Sequence, residues 1–166
     1  MTVGTIAIIT KRALNQAIGM SVANNVVHIT KECYAAIVST VAAFPPETGG
    51  VLGSDNGCTI TSFVFDKGKD RTSEFYIPDV AALNETIVTW RQKGTEFVGM
   101  IHSHLLGRNN LSPSDVDYAK RIMNNMDLEQ MYMLLVDTDT INYNISVYKV
   151  AKTSEPSITK LEYVVD

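Results

Sequence analysis

The sequence has few cysteines, little net charge and no long hydrophobic run, and each shortage excludes a class of protein. Its 166 residues include only two cysteines, Cys33 and Cys58, which do not form a CxxC pair. This predicts neither a disulfide scaffold nor a thiolate zinc site, and we interpret both cysteines as reduced thiols without a catalytic role. The net charge is −4, and no basic patch with interleaved aromatic residues is present. Nucleic acid is therefore a poor candidate for a partner.

Apolar runs are too short to predict a membrane segment. Residues 3–9 are apolar, whereas a membrane span needs about 20 apolar residues. Lys11 and Arg12 follow this run, although a signal peptide requires positive charge before it. Hydrophobic residues make up 45% of the chain and charged residues 19%, without any low-complexity tract, which indicates an ordered core. We therefore expect one domain over residues 1–166 in the cytoplasm, with residues 1–20 forming an N-terminal strand or extension.

Hydrophobic periodicity predicts strands that alternate with helices. Helices are predicted from a Thr30 cap to about Phe44, over 80–93 before Gly94, and over 113–126. Strands are predicted over 26–29, 50–53, 59–65, 74–77, 97–101, 131–136, 141–150 and 158–165, the last as an edge strand. Residues 55–57 and 137–140 mark tight turns between strands. This combination favours an α/β (α+β) fold with a mixed sheet packed between helices.

Two histidines follow the apolar strand predicted at 97–101. Side chains at i and i+2 of a strand point to the same face, so His102 and His104 can aim their imidazoles at one point. Residues 107–110 allow the chain to turn back, which would let Asp115 supply a carboxylate. Two imidazoles and one carboxylate are ligands that zinc accepts, and they leave its fourth position for water. The spacing therefore predicts a catalytic type of zinc site.

Residues 112–115 also have a purely structural interpretation. Ser112 suits a helix N-cap, Pro113 the first helical position, and Asp115 the position three residues after the cap. The two interpretations are compatible, because one of these side chains can cap the helix while the other binds metal. His28, in contrast, lies in a predicted strand without a partner motif, and we assign it no chemical role.

The pattern His-Ser-His, seven residues, Ser, two residues, Asp resembles the signature of the JAMM (JAB/MPN-plus) metalloprotease family, in particular its compact prokaryotic members. The resemblance covers about residues 25–150 and includes Glu47, which precedes a glycine-containing strand as the family's glutamate does. Leu105 departs from the family pattern, since many members have proline there. The resemblance implies a JAB/MPN fold: a curved mixed sheet between helices, related in architecture to the cytidine deaminases. A deaminase itself would need H/C-x-E and P-C-x-x-C motifs, which this sequence lacks.

The resemblance also implies a role for each motif residue. His102, His104 and Asp115 would bind Zn²⁺, and Glu47 would act as the general base for a water on the metal. Without the histidine motif, Glu47 would be interpreted as an ordinary exposed loop carboxylate. Ser112 would donate a hydrogen bond to the developing oxyanion. Ser103 should face away from its neighbours and serve packing at most.

Three functions remain open from the sequence. The first is an isopeptidase that removes a ubiquitin-like modifier, and the second is a peptidase that exposes the diglycine of a sulfur-carrier protein. The third is a non-catalytic scaffold of MPN type, although such scaffolds usually lack the ligands. For the two enzymes, we predict that Gly49, Gly50 and Leu105 form a narrow channel for an extended C-terminal tail. The glycines do not form a phosphate loop, because no GK[ST] follows them.

Overall fold

The computed structural model describes residues 25–69, 76–154 and 157–166. Within these ranges the chain forms eight strands and three helices. In chain order they are β1 (Val26–Ile29), α1 (Lys31–Ser39), β2 (Gly49–Ser54), β3 (Thr59–Ile60), β4 (Ser62–Asp66), α2 (Val80–Gln92), β5 (Glu96–Leu105), α3 (Pro113–Met126), β6 (Gln130–Thr138), β7 (Tyr143–Ala151) and β8 (Ser157–Val165). The extension expected at residues 1–20 lies outside the described residues. So do residues 74 and 75 of the strand predicted at 74–77, while Tyr76 and Ile77 belong to no strand.

The strands form one curved, mixed sheet in the order β3-β1-β8-β7-β6-β5-β2-β4. Strand β5 pairs in parallel with β6 and antiparallel with β2. The prediction of an edge strand at 158–165 is wrong, because β8 lies between β7 and β1. The strand predicted at 59–65 is divided at Thr61. This division arises because β3 pairs with β1, whereas β4 returns antiparallel along β2.

Apolar side chains on the two faces of the sheet form two separate cores. Helix α1 contributes Cys33 and Ile37 to the core on one face. Helices α2 and α3 contribute Leu83, Ala119 and Met123 to the core on the other. Successive residues of β6 alternate between the two cores, as the period of a strand requires. Helices therefore cover both faces, and the predicted mixed sheet between helices is confirmed.

The helix boundaries follow from local capping. The hydroxyl of Thr30 accepts a hydrogen bond from the Cys33 N–H at 3.3 Å, which caps α1 as predicted. The helix ends at Ser39 rather than at Phe44, because the Thr40 hydroxyl donates to the Ala36 carbonyl at 2.6 Å and the backbone leaves the helical region. Helix α3 has the predicted bounds, and α2 ends one residue before the predicted Lys93.

Candidate functional site

Strand β5 carries both histidines inside its hydrogen-bonded part. We expected this strand to end at residue 101, but it continues to Leu105 because residues 99–105 pair in register with β6. His102 and His104 point to the same face, and their Nε2 atoms lie 3.0 Å apart. The prediction that two imidazoles share one focus is therefore confirmed, although they lie in the strand and not beyond it.

The N-terminus of α3 brings Asp115 to the two histidines. Its Oδ1 lies 3.3 Å from Nε2 of His102, and its Oδ2 lies 3.6 Å from Nε2 of His104. One ligand atom from each of the three residues falls within 4.8 Å of the others. Two imidazole nitrogens and a carboxylate oxygen form a donor set that zinc accepts. The three residues fit a metal ion in both chemistry and spacing.

A backbone carbonyl contacts the imidazole of His104 on the side away from the focus of the two histidines. Nδ1 of His104 lies 3.2 Å from the carbonyl oxygen of Arg108. A carbonyl oxygen only accepts hydrogen bonds, so Nδ1 carries the proton and Nε2 keeps a free lone pair. Burial, together with the nearby His102, lowers the pKa of the His104 imidazole. His104 is therefore neutral at pH 7, which is the form that binds metals.

Ser112 and Asp115 form a capping box at the start of α3. The Asp115 N–H donates to Ser112 Oγ at 3.2 Å, and the Ser112 N–H donates to Asp115 Oδ2 at 2.7 Å. Burial by itself raises the pKa of Asp115, but the hydrogen bond and charge of His102, together with Ser112, bring it to about 2. Asp115 thus caps the helix and remains ionised beside the histidines.

Glu47 lies at the same site because the residue after it is fixed to β5. The Thr48 N–H donates to Ser103 Oγ at 3.0 Å, and the Ser103 N–H donates to the Thr48 carbonyl at 2.8 Å. Ser103 is fully buried and faces away from the histidines, as predicted. The Tyr76 N–H donates to Glu47 Oε2 at 3.1 Å. Burial raises the pKa of Glu47, and the charge of His102 opposes this effect.

These residues line one cavity of about 680 Å³. Its wall includes all five residues to which the sequence assigned a metal or catalytic role: Glu47, His102, His104, Ser112 and Asp115. The wall also carries Arg108 on the loop after β5 and Arg121 on α3. A carboxylate, a hydroxyl and three residues that could hold a metal ion therefore face a common space that can admit a small molecule or a short piece of chain.

The residues predicted to form a narrow channel lie next to the site but outside the wall of its cavity, and Gly49 pairs with His102 across β2 and β5. Gly49 and Gly50 are buried inside the sheet and do not belong to the wall of the cavity. A Cβ on Gly49 would lie 2.5 Å from the Ile101 carbonyl oxygen, and one on Gly50 would lie 2.1 Å from that of Val64. These glycines permit close approach of neighbouring strands, and the channel expected beside them stays a prediction. Leu105 is 47% exposed at the end of β5, also outside the wall.

Tyr76 and Arg108 make contacts with Glu47 and His104 that the sequence did not reveal. Each contacts the site through its backbone, and the identity of a side chain gives no signal for such a contact. The Tyr76 hydroxyl also donates to Asp66 Oδ2 at 2.8 Å, which fixes the chain beside Glu47. Cys33, Cys58 and His28 lie outside the cavity wall. Burial raises the pKa of the Cys33 thiol to about 12, and His28 pairs with Asp166 at 2.5 Å.

Within the described ranges, each helix is too short or too polar to cross a bilayer.

Comparison with known proteins gives one family match and several similar folds. The family described as prokaryotic homologs of the JAB domain matches residues 30–149. No curated protein matches the chain significantly. A solution structure of a Desulfitobacterium hafniense protein has a TM-score of 0.65 and 16% identity, with 84% of this chain and 92% of that chain covered. One from Salinibacter ruber has a TM-score of 0.58 and 17% identity, with the same coverage of 84% and 92%. At these identities the two structures show a shared fold.

Proposed function

Because the chain belongs to the prokaryotic JAB-domain family, we propose that it is a zinc-dependent metallopeptidase. Its proposed substrate is a ubiquitin-like or sulfur-carrier protein with an extended C-terminal tail, and the amide bond after that tail is hydrolysed. One observation carries the proposal. A metal-binding group of two histidines and an aspartate shares its cavity with a half-buried glutamate that has a raised pKa.

Each step of the proposed hydrolysis is assigned to a residue of the site. A bound zinc ion would polarise the substrate carbonyl and acidify a water molecule. Glu47 accepts a proton on its carboxylate and passes it to the leaving nitrogen, a role that its raised pKa suits. The Tyr76 N–H holds one carboxylate oxygen of Glu47 and leaves the other for the proton. Ser112 donates a hydrogen bond to the carbonyl oxygen as negative charge develops there.

The size of the cavity supports a flexible tail as the part that enters. A space of about 680 Å³ accommodates a few residues, not a folded domain. The leaving nitrogen can belong to a peptide bond or to an isopeptide bond with a lysine side chain, since both bonds are amides. Precursor processing and removal of a conjugated modifier therefore use the same residues. A scaffold function would not require the complete ligand set, so we favour the enzyme over the scaffold.

The first test separates metal binding from proton transfer. We expect wild-type protein to bind one zinc ion and to cleave a fusion that carries the tail of a ubiquitin-like protein. Glu47→Gln should keep the zinc but lower turnover by about 100- to 10,000-fold, because a base is lost and no ligand is. His104→Ala should lose the zinc. Elemental analysis and a gel-based cleavage assay measure the two effects.

Matched variants make this test specific. Glu85→Gln makes the same change on an exposed position of α2, and His28→Ala removes a histidine outside the cavity wall. Both should bind zinc and cleave as wild type does. Turnover of Glu47→Gln within a few-fold of wild type would contradict the assignment of the base. Undiminished zinc in His104→Ala would contradict the metal site.

The substrate is tested with two sets of linkages. One set joins the tail of the modifier to a partner by a peptide bond, and the other joins it to a lysine side chain. Faster cleavage of the peptide-bonded set would favour precursor processing. Faster cleavage of the lysine-linked set would favour deconjugation. Equal cleavage of tails ending in diglycine and dileucine would favour a general endopeptidase and count against the proposed class of substrate.

A further inference from the structure

Asp137 is a buried acid that the proposed chemistry does not use. It lies on β6 and is 1% exposed. Its Cα is registered with that of His104 in the parallel pair of β5 and β6. Registered residues of neighbouring strands point to the same face of a sheet, so Asp137 lies beside His104 on the face of the site. It does not belong to the metal-binding group itself.

The carboxylate of Asp137 is only partly satisfied. Its Oδ2 accepts hydrogen bonds from the Gly107 N–H at 2.8 Å and from Asn144 Nδ2 at 3.1 Å. Its buried Oδ1 has no hydrogen-bond partner among the described residues. A buried carboxylate with an unpartnered oxygen is costly for folding. This cost points to a role other than stability.

A short chain of contacts connects Asp137 to the imidazole of His104. Oδ2 of Asp137 fixes the N–H of Gly107, which has a φ of +90° in the turn after β5. The next residue in that turn, Arg108, offers the carbonyl oxygen that lies 3.2 Å from Nδ1 of His104. The conformation of the turn thus determines where this carbonyl points. The carbonyl in turn sets the tautomer and the ring orientation of His104.

We propose that Asp137 is a positioning residue for the metal ligand His104 and acts through the turn at Gly107 and Arg108. The inference rests on the zinc site of the proposed function, but it concerns metal affinity and not hydrolysis. Loss of an outer hydrogen bond to a metal-binding histidine typically lowers metal affinity about 10- to 100-fold. The affinity of the site for Zn²⁺ should therefore depend on the acceptor at position 137.

The experiment measures the dissociation constant for Zn²⁺ by competition with a chromophoric chelator on the metal-free full chain. Asp137→Ala removes the acceptor for Gly107 and should weaken zinc binding about 10- to 100-fold. Asp137→Asn keeps an oxygen for Gly107 and should bind zinc within about threefold of wild type. Asn144→Ala removes the other partner of the same oxygen without touching the turn, and it should leave the affinity unchanged.

A second pair of variants changes the turn and leaves Asp137 intact. Gly107 and Gly94 have φ values of +90° and +87°, and a Cβ on either would meet nothing within 4 Å. Alanine at each position therefore introduces the same backbone strain without a clash. Gly107→Ala should weaken zinc binding, whereas Gly94→Ala, at the end of α2, should lower stability alone. Because Asp137 is proposed to act through this turn, the pair still tests the inference if Asp137→Ala does not fold.

Three results would overturn the inference. They are wild-type zinc affinity in folded Asp137→Ala, an equal loss in Asn144→Ala, or wild-type affinity in Gly107→Ala. A wild-type protein that binds zinc but cleaves no substrate would count against the proposed peptidase and leave this inference intact. A wild-type protein without zinc affinity would overturn both.

Discussion

At the scale of single residues, burial and the nearby positive charges act in opposite directions on the pKa of Glu47. Burial and the charge of Asp115 raise the pKa of its carboxyl, while the charge of His102, the Tyr76 N–H and the charge of Arg108 lower it. The net shift is upward from an ordinary value of 4.5. A general base works in its deprotonated form, so the activity should fall as the pH decreases through this raised pKa.

This balance predicts how the pH profile responds to a charge change. Arg108→Gln removes a positive charge that lowers the Glu47 pKa, so the acid limb of kcat/KM should move to higher pH. Arg121→Gln removes a cation from the same cavity wall but not one that acts on Glu47, and the limb should stay in place. The profile of kcat/KM against pH measures both. An equal displacement in the two variants would show that Glu47 does not set the limb.

At the scale of elements, the first turn of α3 serves the helix and the site at the same time. The Ser112 hydroxyl accepts the Asp115 N–H and also lies 2.8 Å from Ser114 Oγ on the wall of the cavity. Thr30 caps α1 by the same kind of bond, to the Cys33 N–H, but outside the cavity wall. A comparison of the two caps therefore distinguishes the contribution of capping to stability from the role of the Ser112 hydroxyl in the cavity.

Ser112→Ala and Thr30→Ala should each lower the free energy of unfolding by roughly 0.5–2 kcal/mol, because each removes an N-cap oxygen. Only Ser112→Ala should also lower turnover, by about 100- to 1,000-fold, since it removes the proposed donor to the oxyanion. Urea unfolding and the cleavage assay measure the two quantities. If the two variants lose equal stability and neither loses turnover, Ser112 is a cap and nothing more.

At the scale of the whole molecule, a metal ion would join two elements that the chain otherwise connects by one loop. His102 and His104 belong to β5 in the interior of the sheet, and Asp115 belongs to α3 on its face. The same helix packs Ala119 and Met123 into the core on that face. Binding of zinc to the folded chain should therefore stabilise the sheet and the helix together.

We expect free zinc at 100 times its dissociation constant to stabilise the wild-type protein by about 2.7 kcal/mol. The midpoint of thermal unfolding should rise with zinc concentration, because the intact ligand set exists only in the folded state. His104→Ala should show no such rise, and magnesium should not replace zinc, since it prefers oxygen ligands. A rise of equal size in His104→Ala would place the bound zinc at some other site.

The sequence determined the features that depend on local periodicity and capping. The two-residue period of a strand placed His102 and His104 on one face. The cap at Ser112 gave the start of α3, and the helical spacing of its apolar residues gave the end. The alternation of predicted strands with helices, together with the tight turns between some strands, also predicted the mixed sheet between helices. These features depend on residues close in the chain, whose preferences a single sequence reveals.

The tertiary structure alone decided which distant residues meet. It placed β8 inside the sheet, because β1 adds to its outer side, and it buried Gly49 and Gly50 between strands. It also brought Asp137 to the turn at Gly107 and the Tyr76 backbone to Glu47. Each of these contacts depends on the order and register of the strands. Hydrophobic periodicity determines which face of the sheet a side chain occupies, but it does not determine which residues the side chain contacts there.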